Sequence, residues 1–104
     1  MAAQATPPDL HATLARLRAS EAELRAAGIR HAAIFGSVAR GAASEASDID
    51  ILIEFAQGKE PDLFTYAGLR RRISEILPGA DVVERNALRP RLAPKVLREA
   101  VYAF

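Results

Sequence analysis

Residues 49–55 form the most strongly patterned segment of this chain, and their alternation is typical of a β-strand. Three isoleucines share one face of such a strand because they lie two residues apart: Ile49, Ile51 and Ile53. The opposite face carries Asp50, and Asp48 precedes it by two residues. Aspartate is depleted in strands, so its position on the face opposite the isoleucines requires an explanation.

Helical and extended patterns alternate along the rest of the chain. Four helices are predicted: one that starts within residues 6–9 and stops at Gly28, then 38–42, 63–77 and 95–100. Asp62 is expected to cap the third of them. Three strands are predicted, with a closing strand or a simple tail at the end: 29–35, 49–55, 80–83 and then 101–104. This order indicates an α/β domain with a small mixed sheet and helices packed on one face. The other face of the sheet must be covered by something else or carry a site.

The ends of the first helix are marked by familiar residues. Thr6 offers a capping hydroxyl ahead of two prolines, and Gly28 has the freedom to stop the helix in a left-handed conformation. Residues 1–8 are predicted to be a flexible tail, and residues 9–104 to form a single domain. A chain of 104 residues has room for one core and not two.

Composition excludes several classes of protein. The net charge is +1, so the chain lacks the strongly basic field of most nucleic-acid binders, and direct nucleic-acid binding is not expected. The absence of cysteine excludes disulfides and thiolate metal sites. No apolar run approaches membrane-spanning length, and residues 1–8 lack the basic and apolar regions of a signal peptide. We therefore expect a cytoplasmic protein without membrane contacts.

Alanine supplies much of the apolar composition. The chain has 22 alanines, so large side chains are fewer than the apolar fraction of 50% implies. A thin core in a short chain favours burial of some apolar surface against a partner.

The dipeptide Gly36-Ser37 lies between a predicted strand and a predicted helix. Glycine lets a ligand approach the backbone closely, and a helix start offers N–H groups and the serine hydroxyl to an anion. The pattern is equally that of an ordinary turn with a serine cap. Alone it does not decide between these two interpretations.

Asp48 and Asp50 are expected to project from the same face of their strand. Like charges so close together repel, and a divalent cation would offset that repulsion. Carboxylates suit Mg²⁺, which binds one or two of them together with the phosphates of a nucleotide. The alternative is a solvated strand start.

Asp81 opens the next predicted strand. If that strand neighbours residues 49–55, Asp81 can converge on the same metals, and three carboxylates around two ions would serve an in-line displacement at phosphorus. The alternative is a turn residue after Pro78-Gly79. The sequence alone does not show which face of the sheet Asp81 shares.

Together these residues resemble the nucleotidyltransferase signature of the DNA polymerase beta-like superfamily. The resemblance consists of Gly36-Ser37, ten intervening residues and Asp48-Ile49-Asp50. Further segments are similar to the minimal branch of that superfamily: 35–41, 47–55, 69–71, 81–83 and 98–102. The likeness covers roughly residues 29–104.

The resemblance implies a nucleotidyltransferase fold that uses ATP and two Mg²⁺ ions and releases pyrophosphate. It implies that Asp48 and Asp50 ligate both metals, and that Asp81 ligates the catalytic metal and helps to deprotonate the acceptor hydroxyl. It implies that Gly36 and Ser37 hold the terminal phosphates. Arg40 follows within one helical turn, where it has the reach to contact phosphate or a partner, although an exposed arginine is usually solvated.

The resemblance also implies a partner. Many members of the minimal branch are similar to antitoxins that pair with a HEPT-domain, RNase-type toxin, and the implied reaction is adenylylation of a toxin tyrosine. The chain has no room for the acceptor-binding domain of larger relatives, so we expect a partner to present the acceptor. Two alternatives stay open: a non-catalytic antitoxin that acts by occlusion, and a small-molecule nucleotidyltransferase.

Other polar residues carry less information. Glu54 shares the face of Asp50 but is expected to end its strand in water. The basic run 70–72 is expected to be a solvated helix face, and the two histidines have no metal-ligand spacing. No role follows from the sequence for residues 84–86.

Overall fold

The computed structural model describes residues 6–104. Within that range there are five helices: α1 (Leu10–Ala19), α2 (Glu21–Ala26), α3 (Gly36–Ala39), α4 (Leu63–Ile76) and α5 (Ala93–Glu99). The same range contains four strands and a short 3₁₀ turn: β1 (Ile29–Phe35), β2 (Ile49–Phe55), β3 (Ala80–Glu84), β4 (Val101–Tyr102) and the turn Arg85–Ala87. Residues 1–5 of the predicted tail lie outside the described residues, and residues 6–8 have no regular secondary structure.

The four strands form one sheet in the order β3-β2-β1-β4. β1 pairs antiparallel with both β2 and β4, whereas β2 and β3 are parallel. The sheet is therefore mixed, as predicted. The parallel pair is possible because the long helix α4 crosses over between β2 and β3.

Helices α1, α2 and α4 pack on the isoleucine face of β2. Ile51 and Ile53 of β2 are completely buried there, as are Leu17 of α1 and Ile73 of α4. Burying a side chain of this size contributes about 1.5–3 kcal/mol to folding. This layer is the main core, and it confirms the predicted covering of one sheet face.

The opposite face of the sheet is covered only in part. Ala33 and Leu52 form a small second cluster there with Val96 of α5. Asp50 lies two residues from Leu52 on this same face, because side chains alternate along a strand. Helix α5 therefore packs on this second face, beside the Asp50 end of β2. The sequence predicted helices on one face only.

The helix boundaries differ from the predictions at two places. The first helix is capped by Asp9, which accepts a hydrogen bond from the Ala12 N–H at 2.9 Å, and not by Thr6. It breaks at Ser20, a residue type that is weak in a helix interior and good at a helix start. The predicted cap of α4 is confirmed, since Asp62 accepts from the Thr65 N–H at 2.7 Å. Within residues 6–104, no helix combines the length and apolar character needed to cross a membrane.

Candidate active site

Asp50 and Asp81 lie directly beside each other on neighbouring strands. The parallel register of β2 and β3 pairs Asp50 with Asp81, and residues paired in this way point to the same face of a sheet. The face of Asp81, which the sequence left open, is therefore that of Asp50. Asp48 precedes β2, and its carboxylate is close enough to act electrostatically on Asp50.

The turn at Gly36 packs against Asp50. The antiparallel register pairs Phe35 of β1 with Asp50, so the residue after Phe35 reaches the same place. Gly36 has a φ of +72°, and a Cβ there would overlap Oδ2 of Asp50 and lie 3.1 Å from its Cγ. Only glycine fits this backbone and this space. The reversal at Gly36 also explains why α3 begins there, two residues before the predicted start.

Ser37 occupies the second position of α3. Its hydroxyl has no hydrogen-bond partner among residues 6–104, and the side chain is half-buried. The N–H groups of the first turn of a helix have no partner within that helix. Ser37 therefore presents two hydrogen-bond donors at the turn beside Asp50.

Glu99 is a residue of the site that the sequence reasoning missed. Its Oε1 accepts a hydrogen bond from the backbone N–H of Gly36 at 3.0 Å. The same carboxylate accepts from the Arg40 guanidinium at 3.2 Å and 3.3 Å. Residues 85–98 contain five basic and no acidic residues, so Glu99 stands out in its segment. This contrast and the resemblance of residues 98–102 to the minimal branch were the available signals, and neither indicated a partner for Glu99.

The electrostatic surroundings of Asp50 disfavour its charged form. Burial raises the pKa of Asp50 above its ordinary value of 3.8, and the neighbouring Asp81 and Asp48 raise it further. Arg40 lowers the pKa, and the charge of Glu99 raises it. Ionised Asp50 would thus be stabilised by an added cation.

The carboxylates of the site are of the ligand type that Mg²⁺ prefers. In the described part of the chain, no three His, Asp or Glu side chains are drawn together into a group that could hold a metal ion. Asp50 and Asp81, however, form an adjacent pair of hard oxygen ligands on one face. Mg²⁺ binds through one or two carboxylates and completes its shell with water and substrate phosphates. These residues therefore fit Mg²⁺ bound together with a nucleotide, and the three-aspartate ligand set stays a prediction.

Replacing Asp50 with asparagine is expected to raise the melting temperature by a few degrees at neutral pH without divalent cations. In the unfolded chain Asp50 loses its proton near 3.8, and in the folded chain only at a higher pH, so ionisation costs stability as pH rises between those values. The gain in Asp50→Asn should vanish as pH falls below 3.8. Thermal melts of the parent and of Asp50→Asn at several pH values measure this difference in melting temperature.

Asp62→Ala is a control in which the melting temperature should change in the opposite direction. The hydrogen bond from the Thr65 N–H lowers the pKa of Asp62, so this carboxylate stabilises the fold at neutral pH. Its loss should lower the melting temperature at neutral pH, with a smaller effect once Asp62 is protonated. If both variants changed stability in the same direction, repulsion around Asp50 would not be the cause.

Polar residues farther along β2 and β3 make structural contacts. They are Glu54 in β2 and residues 84–86, which include Arg85, at the end of β3. Glu54 accepts a hydrogen bond from Arg85 at 2.9 Å, so its carboxylate is paired and does not simply end in water. Glu84 caps the 3₁₀ turn, accepting from the N–H groups of Asn86 and Ala87 at 2.6 Å and 3.2 Å. These contacts explain residues to which the sequence gave no role.

A cleft of about 460 Å³ lies between residues 7–11 and the end of α3. Arg40 lines it, but none of the three aspartates does. Asp50 and Asp81 lie on the sheet face beside α5 and outside this cleft.

A comparison with protein families shows to which family the chain belongs. The profile of the nucleotidyltransferase domain matches residues 17–103, which extend from α1 to the end of β4. The chain belongs to the nucleotidyltransferase domain family. The aspartates and the Gly36-Ser37 turn of this nucleotidyltransferase all lie within the matched residues.

Two curated relatives cover most of this nucleotidyltransferase. Protein adenylyltransferase MntA of Thermococcus cleftensis is 39% identical over 88 residues, which are 83% of this chain and 87% of the relative. A protein of Methanocaldococcus jannaschii that is classed as a protein adenylyltransferase is 43% identical over 75 residues, which are 71% of this chain and 78% of the relative.

Solved structures show the same fold. A structure described as a minimal nucleotidyltransferase has a TM-score of 0.74 and 38% identity, and the match covers 90% of this chain and 95% of the other. A crystal structure of a toxin–antitoxin with AMP-PNP has a TM-score of 0.66 at 20% identity, covering 86% and 72%. A mutant of the toxin–antitoxin MntA–HpeT has a TM-score of 0.63 at 16% identity, covering 84% and 71%. The last two likenesses concern the fold alone.

Proposed function

We propose that this nucleotidyltransferase is a Mg²⁺-dependent protein adenylyltransferase that uses ATP and acts as an antitoxin. The pairing of Asp50 with Asp81 beside the Gly36 turn is the observation that supports this function most. Carboxylates lie on one face, next to a turn with free donors, and that arrangement suits a nucleoside triphosphate with its metal. The proposed acceptor is a tyrosine of a HEPT-type RNase toxin.

The proposed roles follow the layout of the site. Asp48, Asp50 and Asp81 would hold Mg²⁺, which would supply neutralisation of the charge that develops during transfer at phosphorus. The N–H and hydroxyl of Ser37 contact the terminal phosphates, and Gly36 permits their close approach. Gly36 does this through its missing side chain, because its own N–H is engaged by Glu99.

The reaction is an in-line displacement at the α-phosphorus of ATP. The tyrosine oxygen forms a bond to that phosphorus, and the bond from the phosphorus to the bridging oxygen of pyrophosphate breaks. We assign Asp81 to accept the tyrosine proton, because it is more exposed than Asp50. The products are adenylylated tyrosine and pyrophosphate.

A toxin partner is supported by the relatives and by the chain itself. The MntA of T. cleftensis shares its name with one component of the toxin–antitoxin structure MntA–HpeT, and this chain is 39% identical to the former. Leu63 and Phe64 at the start of α4 are 80% and 90% exposed, so apolar surface is available to a partner. The use of ATP is consistent with a cytoplasmic location.

The test incubates the protein with ATP, Mg²⁺ and a candidate HEPT-type toxin, followed by intact-mass measurement of that toxin. A mass gain by whole AMP units is the expected result. AMP-PNP should support transfer, because its α–β bridge is an ordinary oxygen. An analogue with a methylene group between the α- and β-phosphorus should not.

Controls separate the alternatives. Omission of Mg²⁺ with added chelator should abolish the mass gain, and so should a phenylalanine at the acceptor tyrosine. A stable complex without any mass gain would instead identify an antitoxin that acts by occlusion. A gain by phosphate units that is lost with AMP-PNP would mean phosphoryl transfer and would exclude the proposed reaction.

A further inference from the structure

Glu99 joins two helices that are distant in sequence, α5 and α3. It ends α5, and its carboxylate contacts the first residue of α3 and the residue that caps the end of α3. The partners, Gly36 and Arg40, lie 63 and 59 residues away along the chain. One acidic side chain therefore ties both ends of α3 to α5.

The position of Glu99 is fixed by its surroundings. Val96, one turn earlier in α5, is buried against the second face of the sheet. Two residues later Val101 pairs with Ile34 in β1. The backbone on both sides of Glu99 is thus anchored to the sheet that carries the aspartates, and the Glu99 side chain is only 17% exposed.

The contact with Gly36 differs from an ordinary surface ion pair. Arg40 is 49% exposed, and its pairing with Glu99 alone would contribute little. The Gly36 N–H, in contrast, is a fixed backbone donor in a residue that packs against Asp50. A charged acceptor makes a stronger hydrogen bond than a neutral one. The Glu99 carboxylate therefore holds the turn through the Gly36 N–H, while Asp50 fills the space that a side chain at Gly36 would take.

We propose that Glu99 is a positioning residue for nucleotidyl transfer, which holds the Gly36-Ser37 turn against Asp50 and keeps Arg40 beside it. This role rests on the proposed function, because it assumes that the turn receives the phosphates and Asp50 the metal. Glu99 acts through Gly36 and Arg40 and does not itself touch the nucleotide. Helix α5 thereby sets the geometry of a site whose other residues lie on β2, on β3 and in the turn after β1.

The test compares Glu99→Ala and Glu99→Gln with the parent protein, and uses Glu75→Ala as a surface control on α4. Toxin adenylylation is followed at several ATP concentrations, to separate kcat from the KM for ATP. Glu99→Ala should lower kcat about 10- to 100-fold, the range for a lost hydrogen bond to a charged group, and change KM much less. Glu99→Gln should recover most of kcat, because its amide oxygen still accepts from Gly36.

The backbone amide of Gly36 gives a second readout that does not need activity. In ¹⁵N-edited NMR spectra its proton resonance should move upfield in Glu99→Ala and stay close to the parent position in Glu99→Gln. Glu75→Ala should change neither kcat nor this resonance. The NMR result stands even if no transfer to a toxin is found, so failure of this inference is distinguishable from failure of the proposed function.

Several results would overturn the inference. An unchanged Gly36 resonance in folded Glu99→Ala would show that the hydrogen bond is not formed in solution. Equal losses of kcat in Glu99→Ala and Glu99→Gln would show that the charge and not the acceptor geometry matters. A higher KM at unchanged kcat would place Glu99 in nucleotide binding. If Glu99→Ala does not fold, Glu99→Gln decides through its outcome of the opposite kind: a kcat about 10-fold or more below the parent in folded Glu99→Gln overturns the inference.

Discussion

Replacing Asp48 and Asp50 together with asparagine is expected to lower nucleotidyl transfer on the order of 1,000-fold or more. Asparagine keeps the size of each side chain but removes the charge that a hard cation requires. Asp81 alone would then have to hold the metal. The measurement is the rate of AMP incorporation into the toxin at saturating ATP and Mg²⁺.

Folding should survive this double substitution. Asp48 is exposed, and Asp50 is destabilised by burial and by its acidic neighbours, so neutral side chains relieve repulsion. The circular dichroism spectrum should be unchanged and the melting temperature equal or higher. Transfer at the parent rate in the folded double variant would falsify the assignment of these residues to the metal.

Gly36→Ala should produce the second large effect, a loss of both stability and activity. A left-handed backbone costs a non-glycine residue about 1–2 kcal/mol. The new Cβ would also overlap Oδ2 of Asp50, and overpacking of this kind costs about 1–3 kcal/mol more. Relief of the overlap requires movement of Asp50 or of the turn. A displacement of about 1 Å in a catalytic site can lower the rate about 100-fold.

Gly41→Ala is a matched control within the same segment. Gly41 has the same φ of +72°, but a Cβ there meets nothing within 4 Å. Both variants carry the backbone cost, and only Gly36→Ala adds the clash with Asp50. Urea denaturation should show the larger loss of unfolding free energy in Gly36→Ala, and transfer should stay near the parent rate in Gly41→Ala. Equal effects in the two variants would show that contact with Asp50 is unimportant.

The sequence determined the elements whose signals are local. The alternation in residues 49–55 predicted β2 within its observed limits, and Asp62 predicted the start of α4, because strand faces and helix caps depend on near neighbours. The first helix was less well predicted. Thr6 was the predicted cap, whereas the structure has Asp9 as the cap of a helix that buries Leu14 and Leu17 in the core.

The combination of Gly36-Ser37 with Asp48 and Asp50 was also readable from the sequence, and it indicated the family that the comparison then showed. A spaced motif is informative because its residues flank one turn and one strand. Individual roles were less certain. Gly36 was expected to offer its backbone to phosphate, but its N–H donates to Glu99.

Only the tertiary structure decided which distant residues meet. Asp81 joins Asp50 because β3 pairs in parallel with β2 in one particular register, and a shift by one residue would turn Asp81 to the other face. Glu99 reaches Gly36 because β4 returns to the edge of β1 and orients the end of α5. Such contacts depend on strand order and on packing across the whole sheet. Local patterns carry no information about either, so the sequence supplied the chemical groups and the fold supplied their geometry.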